Sequence, residues 1–138
     1  MILDASVLVK LVITEPGSEQ ARDIVRRAVS EGEVLACPDI ALAEALNALW
    51  KQHALLKRTT ADVFKGAVED LLRLWRLLRV WATEELAVLA CELALKVRLP
   101  IYDALYLALA EKAQDRLFTF DEKLEKAARS LGIRVLPP

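Results

Sequence analysis

The chain has 138 residues, 55% hydrophobic and 28% charged, with 19 Lys and Arg against 20 Asp and Glu. That is one domain's worth of chain with enough apolar material for a sizeable core, which argues against disorder. The formal net charge of −1 gives no global basic field of the kind that advertises nucleic-acid binding.

The elements follow from apolar patterning and punctuation. Met1-Ile-Leu-Asp4 reads as a short buried strand that ends on a carboxylate, and Ala5 to Val12 as a helix capped by Asp4 or Ser6. Glu15-Pro16-Gly17 is a turn. Ser18 is the expected cap of a helix with Ala21, Ile24, Val25, Ala28 and Val29 on its apolar face, ended by Gly32. Val34 to Cys37 is a buried strand closed by Pro38. Asp39 then caps a helix from about Ile40 to His53. Its few polar residues, Glu44, Asn47 and Lys51, fall on one stripe. A basic connection, Leu55 to Thr60, leads to an amphipathic helix from Thr60 to Leu78. Arg79 to Ala82 is a strand, Thr83 caps a helix running to about Val97, and Pro100 is a break. A nearly apolar helix opens with Tyr102-Asp103. Leu117 to Phe120 is a strand running to Asp121, which caps a last helix to Ser130, and Ile133 to Leu136 is the final strand.

Short apolar strands alternating with helices predict a parallel sheet with helical crossovers and helices on both faces. No repeat, low-complexity segment or linker interrupts the pattern, so residues 1–138 are read as one domain. Apolar runs are broken by Glu92, Lys96, Arg98 or Asp103 before they reach membrane-spanning length, and Asp4 stands where a signal peptide would be apolar. A cytoplasmic protein is expected. Cys37 and Cys91 are expected to be small buried hydrophobes in a reducing compartment, and Trp50 and Trp75 to belong to the core.

The chemistry lies in the carboxylates. Asp4 and Asp121 follow strands, Asp103 opens a helix, and Glu44 sits on an otherwise apolar one. Taken singly, the three Asp residues suit helix caps, and Glu44 with Asn47 and Lys51 suits a solvent face. Taken together they converge on the crevice outside the strand ends of one sheet. Bare carboxylates ~4 Å apart repel by roughly 4 kcal/mol at an effective dielectric near ~20, so such a cluster needs a proton or a cation. Oxygen ligands without His or Cys select Mg²⁺ or Mn²⁺, which suits metal-assisted phosphodiester hydrolysis. Ser6 and Thr119 are placed to orient the carboxylates. The one His, His53, gives no partner set for a nucleophilic triad and is expected at an exposed helix end. There is no Gly-rich phosphate loop and no zinc spacing. The basic run Lys51 to Arg58 either flanks the crevice and grips a phosphate backbone or is a solvated surface.

Four segments together carry a resemblance: Ile2-Leu-Asp-Ala-Ser6, Pro38-Asp-Ile-Ala-Leu-Ala-Glu44-Ala-Leu-Asn47, Ile101-Tyr-Asp103-Ala-Leu-Tyr-Leu-Ala-Leu-Ala110 and Leu117-Phe-Thr119-Phe-Asp121. In order and spacing the chain resembles PIN-domain ribonucleases, most closely the VapC-like toxins of prokaryotic toxin–antitoxin pairs. The resemblance implies a three-layer α/β/α Rossmann-like sandwich with a central parallel sheet. It implies an acidic metal site of Asp4, Glu44, Asp103 and Asp121, supported by Ser6, Asn47 and Thr119. It further implies Mg²⁺- or Mn²⁺-dependent endoribonuclease activity, an RNA substrate, a cognate antitoxin and a homodimer. Asp39 is a cap or a further acid of the site. Two other readings stand beside this one. One is a catalytically silent module that binds a protein or RNA through its acidic groove. The other is a metal-dependent phosphatase, against which counts the lack of a second Asp in Asp4-Ala-Ser6.

Overall fold

The computed structural model describes residues 1–137. Five strands, β1 (Ile2–Leu3), β2 (Ala36–Pro38), β3 (Arg79–Trp81), β4 (Leu117–Phe118) and β5 (Val135–Leu136), form one sheet in the order β3-β2-β1-β4-β5, every pair parallel. Helices α1 (Ala5–Val12), α2 (Ser18–Ser30), α3 (Ile40–Trp50), α4 (Ala61–Trp75), α5 (Thr83–Val97), α6 (Ile101–Ala113) and α7 (Glu122–Ser130) flank it. This is the α/β sandwich expected from the sequence.

The sheet is parallel and its inner strands are covered on both faces, while the edge strand β3 stays exposed at Arg79 and Val80. Ile2, Leu3, Cys37, Leu117 and Phe118 are at most 1% exposed, and continuous apolar runs are what a sheet buried on both faces requires. Helix α6 is apolar on all sides for the same reason. It packs against β1, β2 and β4 and alongside α5, so Ala104 to Ala110 are all buried. The strand order places β1 at the centre, between the branch running to β2 and β3 and the branch running to β4 and β5. The sequence reverses direction across the sheet there, and the C-terminal ends of β1 and β4 open onto one crevice.

Several local expectations are corrected. Gly17, not Ser18, precedes α2; its φ is 90°, and a Cβ on it would stand 3.1 Å from the Phe120 ring. Ser18 instead closes the preceding turn, accepting from Glu15 N at 3.0 Å and donating to Ile13 O at 2.9 Å. Pro38 is the last residue of β2 rather than its terminator. Helix α3 stops at Trp50 and passes into a π-helical turn, Lys51–Leu55. Asp39 makes no side-chain cap to α3; it accepts from Thr83 N at 3.0 Å and Thr83 Oγ1 at 2.5 Å, tying the end of β2 to the start of α5. Those bonds, the hydroxyl's first, hold the Asp39 carboxyl below the ordinary carboxylate value. Cys37 is buried, with its thiol pushed up to about 12 chiefly by desolvation, whereas Cys91 is exposed. Trp50 is 46% exposed. His53 is half-buried, stacked on Phe64 at 5.3 Å, with Nδ1 2.9 Å from Thr59 O.

Candidate active site

Asp4 anchors the crevice. The pairing of Leu3 with Phe118 across β1 and β4 brings the next residues, Asp4 and Thr119, level with each other. Both are buried. Asp4 Oδ1 accepts from Ser6 Oγ at 2.6 Å and from Val7 N at 3.0 Å, capping α1, and its Oδ2 accepts from Thr119 Oγ1. Each hydroxyl is fixed in turn by a backbone donor from the β4–α7 turn: Ser6 Oγ accepts from Phe120 N at 3.1 Å and Thr119 Oγ1 from Asp121 N at 2.9 Å. With those lone pairs occupied, both hydroxyl protons point at Asp4. The two residues thus lock the Asp4 carboxylate and the turn carrying Asp121 into one unit.

Asp121 caps α7, its Oδ1 accepting from Lys123 N at 2.8 Å and Leu124 N at 3.0 Å, and it is exposed. Asp103 sits half-buried in the first turn of α6. Glu44 reaches the crevice from the middle of α3, where Tyr106 of α6 donates its hydroxyl to Glu44 Oε1 at 2.8 Å. Tyr106 escaped the sequence analysis. The available signal was a phenol three residues after Asp103 on a fully buried helix face, where a buried hydroxyl needs a partner.

The electrostatics join the four acids. Burial raises the Asp4 carboxyl above its ordinary value, the Asp121 charge adds to that, and the bonds from Ser6, Thr119 and Val7 oppose it. Desolvation likewise raises Glu44, reinforced by Asp103 and Asp4 and opposed by Tyr106. Asp103 is raised by burial and by Asp121, with Lys123 opposing. The carboxylates therefore form a closed ring of mutual repulsion, Asp4 to Asp121 to Asp103 to Glu44 and back. Burial and Glu44 push the Tyr106 phenol up, so it remains a donor. Among the described residues no three acidic, His or Cys side chains stand close enough to enclose an ion by themselves; the acids act on one another across the crevice. Ser6, Glu44, Asn47 and Lys51 also line a cavity of 390 Å³ together with Gln52, so the polar stripe of α3 faces this cavity. Asp39, engaged by Thr83, has no part in the ring.

Replacing Thr119 by Val removes a donor to a buried carboxylate and an acceptor for Asp121 N–H. The loss is expected to cost about 1–3 kcal/mol of stability, read from urea unfolding in chelator, with Ser restoring most of it. A loss below ~0.5 kcal/mol, an ordinary surface effect, would show that the hydroxyl does not hold the two strand ends together.

The sequence model of the PIN domain family matches residues 1–130. The chain belongs to the PIN domain family. Among curated relatives of this PIN domain, Ribonuclease VapC3 of Pyrobaculum aerophilum is 38% identical over 124 residues, covering 90% of this chain and 91% of that protein. Among solved structures, PAE2754 of P. aerophilum superposes with a TM-score of 0.67 at 24% identity, covering 98% of this chain and 82% of that one. The structure of Mycobacterium tuberculosis VapC20, a sarcin-ricin loop cleaving toxin, gives 0.63 at 18% identity, with 91% and 93% covered. That of Rickettsia felis VapBC2, bound to a DNA fragment from its promoter, gives 0.67 at 16% identity, with 97% and 95% covered. At these identities the structures speak to the fold, and they agree with the sheet and helices described above. No helix among the described residues is long and apolar enough to cross a membrane.

Proposed function

We propose that this PIN domain is a divalent-metal-dependent endoribonuclease of the VapC kind, the toxin of a toxin–antitoxin pair. The observation that carries the reading is the ring of Asp4, Glu44, Asp103 and Asp121, in which burial first, and the charge of neighbouring acids second, raises the carboxyls of Asp4, Glu44 and Asp103. The VapC3 relative, named a ribonuclease, supports the reaction class.

The residues fit Mg²⁺ or Mn²⁺: every donor is an oxygen, and the charges call for a cation. Mg²⁺ takes one or two carboxylates directly and keeps several waters, which suits acids that surround a crevice without closing on an ion. Asp4, Asp103 and Asp121 would hold it, with Glu44 as a further ligand or as the base. When bound, such an ion supplies Lewis acidity toward the phosphate and lowers the pKa of a water.

The protein's own groups do the rest. Ser6, Thr119 and Val7 N–H keep the Asp4 carboxylate from turning. Tyr106 occupies Glu44 Oε1, which leaves Oε2 to take the proton of the attacking water. In-line attack leaves a 5′-phosphate and a 3′-hydroxyl. End-group analysis of cleaved RNA tests this: 5′-phosphate products are expected, and a 2′,3′-cyclic phosphate would replace the activated-water route with attack by the ribose hydroxyl. A cognate antitoxin and a homodimer belong to the same reading.

Tyr106 acts as a positioning residue. Tyr106→Phe removes the bond that lowers the Glu44 carboxyl, so that carboxyl rises further and the acid limb of the rate–pH profile moves to higher pH. The pH dependence of single-turnover cleavage checks this; an unmoved acid limb would detach Tyr106 from the chemistry.

A further inference from the structure

The 390 Å³ cavity beside Ser6 and Glu44 does not end there. Its walls Glu15 and Gln52 are also walls of a second cavity, of 780 Å³, which continues between the Val12–Pro16 turn and the Arg58–Thr60 segment. The two cavities meet at Glu15 and Gln52, which hydrogen-bond each other at 2.9 Å, and we read them as one groove leading away from the carboxylates. Two acids stand in its walls: Glu44, at the carboxylate end, and Glu15, which is neutralised, its Oε1 accepting from Lys10 Nζ at 2.7 Å and its Oε2 from Gln52 Nε2 at 2.9 Å. Lys51 and Arg58 are exposed along the groove, and among the described residues neither has a carboxylate partner. Beyond Glu44, the groove therefore carries unpaired positive charge at Lys51 and Arg58, in a chain whose net charge is −1. Thr59 Oγ1, in the wall of the second cavity, is buried and lacks a hydrogen-bond partner.

The segment is shaped for this placement. The π-helical turn Lys51–Leu55 shifts the helical register just after Lys51, and Arg58 N donates back to Gln52 O at 2.9 Å. That fold-back brings Arg58 to the same groove as Gln52, which regular continuation of α3 would not do. π-helical turns occur frequently at functional sites.

We propose that this groove is the track of a single-stranded RNA flanking the scissile phosphate, with Lys51 and Arg58 as its phosphate contacts. The inference rests on the ribonuclease reading and adds the path and strandedness of the substrate. Cationic side chains give salt-dependent affinity, and a groove walled on two sides admits a flexible strand better than a rigid duplex.

The test measures binding of a fluorescent single-stranded RNA by anisotropy, in chelator so that no turnover intervenes, over a range of salt. Lys51→Ala and Arg58→Ala are each expected to weaken binding about fivefold or more at low salt. Each should also lower the slope of log affinity against log salt by about 0.7, the value for one lost phosphate contact on a single strand. Arg73→Ala, far along α4 and paired with Asp70, should leave both unchanged, and duplex RNA of the same sequence should compete poorly. Unchanged slopes in Lys51→Ala and Arg58→Ala, or equal competition by duplex, would overturn the track. RNA cleavage with binding indifferent to both substitutions rejects the track and keeps the nuclease. Binding that depends on both residues without cleavage under any ion keeps the track and rejects the nuclease.

Discussion

Asp103→Asn is expected to lower the rate of RNA cleavage by roughly a thousandfold or more, about 4 kcal/mol of transition-state stabilisation, while the protein stays folded. The substitution keeps the shape of the side chain and removes one negative charge from the ring. Asp103 is the cleaner choice than Asp4. Asp4 also caps α1 and receives both the Ser6 and Thr119 hydroxyls, so its replacement disturbs the turn that carries Asp121. In chelator the Asp103→Asn protein should be at least as stable as the wild type, because Asp121 no longer repels a neighbouring charge. Single-turnover rates and urea midpoints give both numbers. Activity within tenfold of the wild type would remove Asp103 from the chemistry, and a clear loss of stability would make its role structural.

The second large effect is the coupling between divalent ion, pH and stability. At an ion concentration of ~100 times Kd, binding to the folded state adds about 2.7 kcal/mol, which for a chain of this size raises Tm by roughly 10 °C. The pH dependence has opposite signs with and without the ion. The folded-state carboxyls of Asp4, Glu44 and Asp103 lie above their unfolded values. The folded protein therefore holds these protons more tightly than the unfolded chain. Their contribution to stability is fully present below the ordinary carboxylate range, near ~4, and is lost as pH rises through the raised values. In chelator the site thus becomes less favourable toward neutral pH. An ion requires the deprotonated forms, so its stabilisation grows over the same interval. Thermal melts with Mg²⁺ and with chelator between pH 4 and 8 should diverge as pH rises, and Asp103→Asn should narrow the gap. Parallel curves, or an equal gap in the variant, would contradict a cation held by these acids.

The sequence made the strand ends legible because short apolar runs that stop on Asp4 and Asp121 leave few other places for those carboxylates. It also made α6 legible, since a helix apolar on every side has to be buried. What it left open depended on long-range geometry. The spacing of Ser6 and Thr119 from Asp4 and Asp121 suggests a supporting role, but their joint grip on Asp4 follows from the register of β1 against β4, whose residues are far apart in the chain. Tyr106 was hidden because a phenol within a run of Leu and Ala has the same periodicity as core, and only the approach of α3 shows that it meets Glu44. Asp39 looked like a cap because an Asp before a helix usually is one; Thr83, distant in sequence, took its carboxylate instead. The basic run after α3 could be a grip or a solvated face, and the π-helical turn that brings Gln52 and Arg58 to one groove has no sequence signature.

The ring of acids is expected to cut RNA with the help of a divalent ion. The most direct test is cleavage of a mixed panel of structured RNAs by the purified protein in Mn²⁺, in Mg²⁺ and in chelator, run beside Asp103→Asn. Endonucleolytic cuts that need the ion and vanish in the variant are the expected result. Cutting that persists in chelator, or in Asp103→Asn at the wild-type rate, would contradict a metal-dependent nuclease built on these acids.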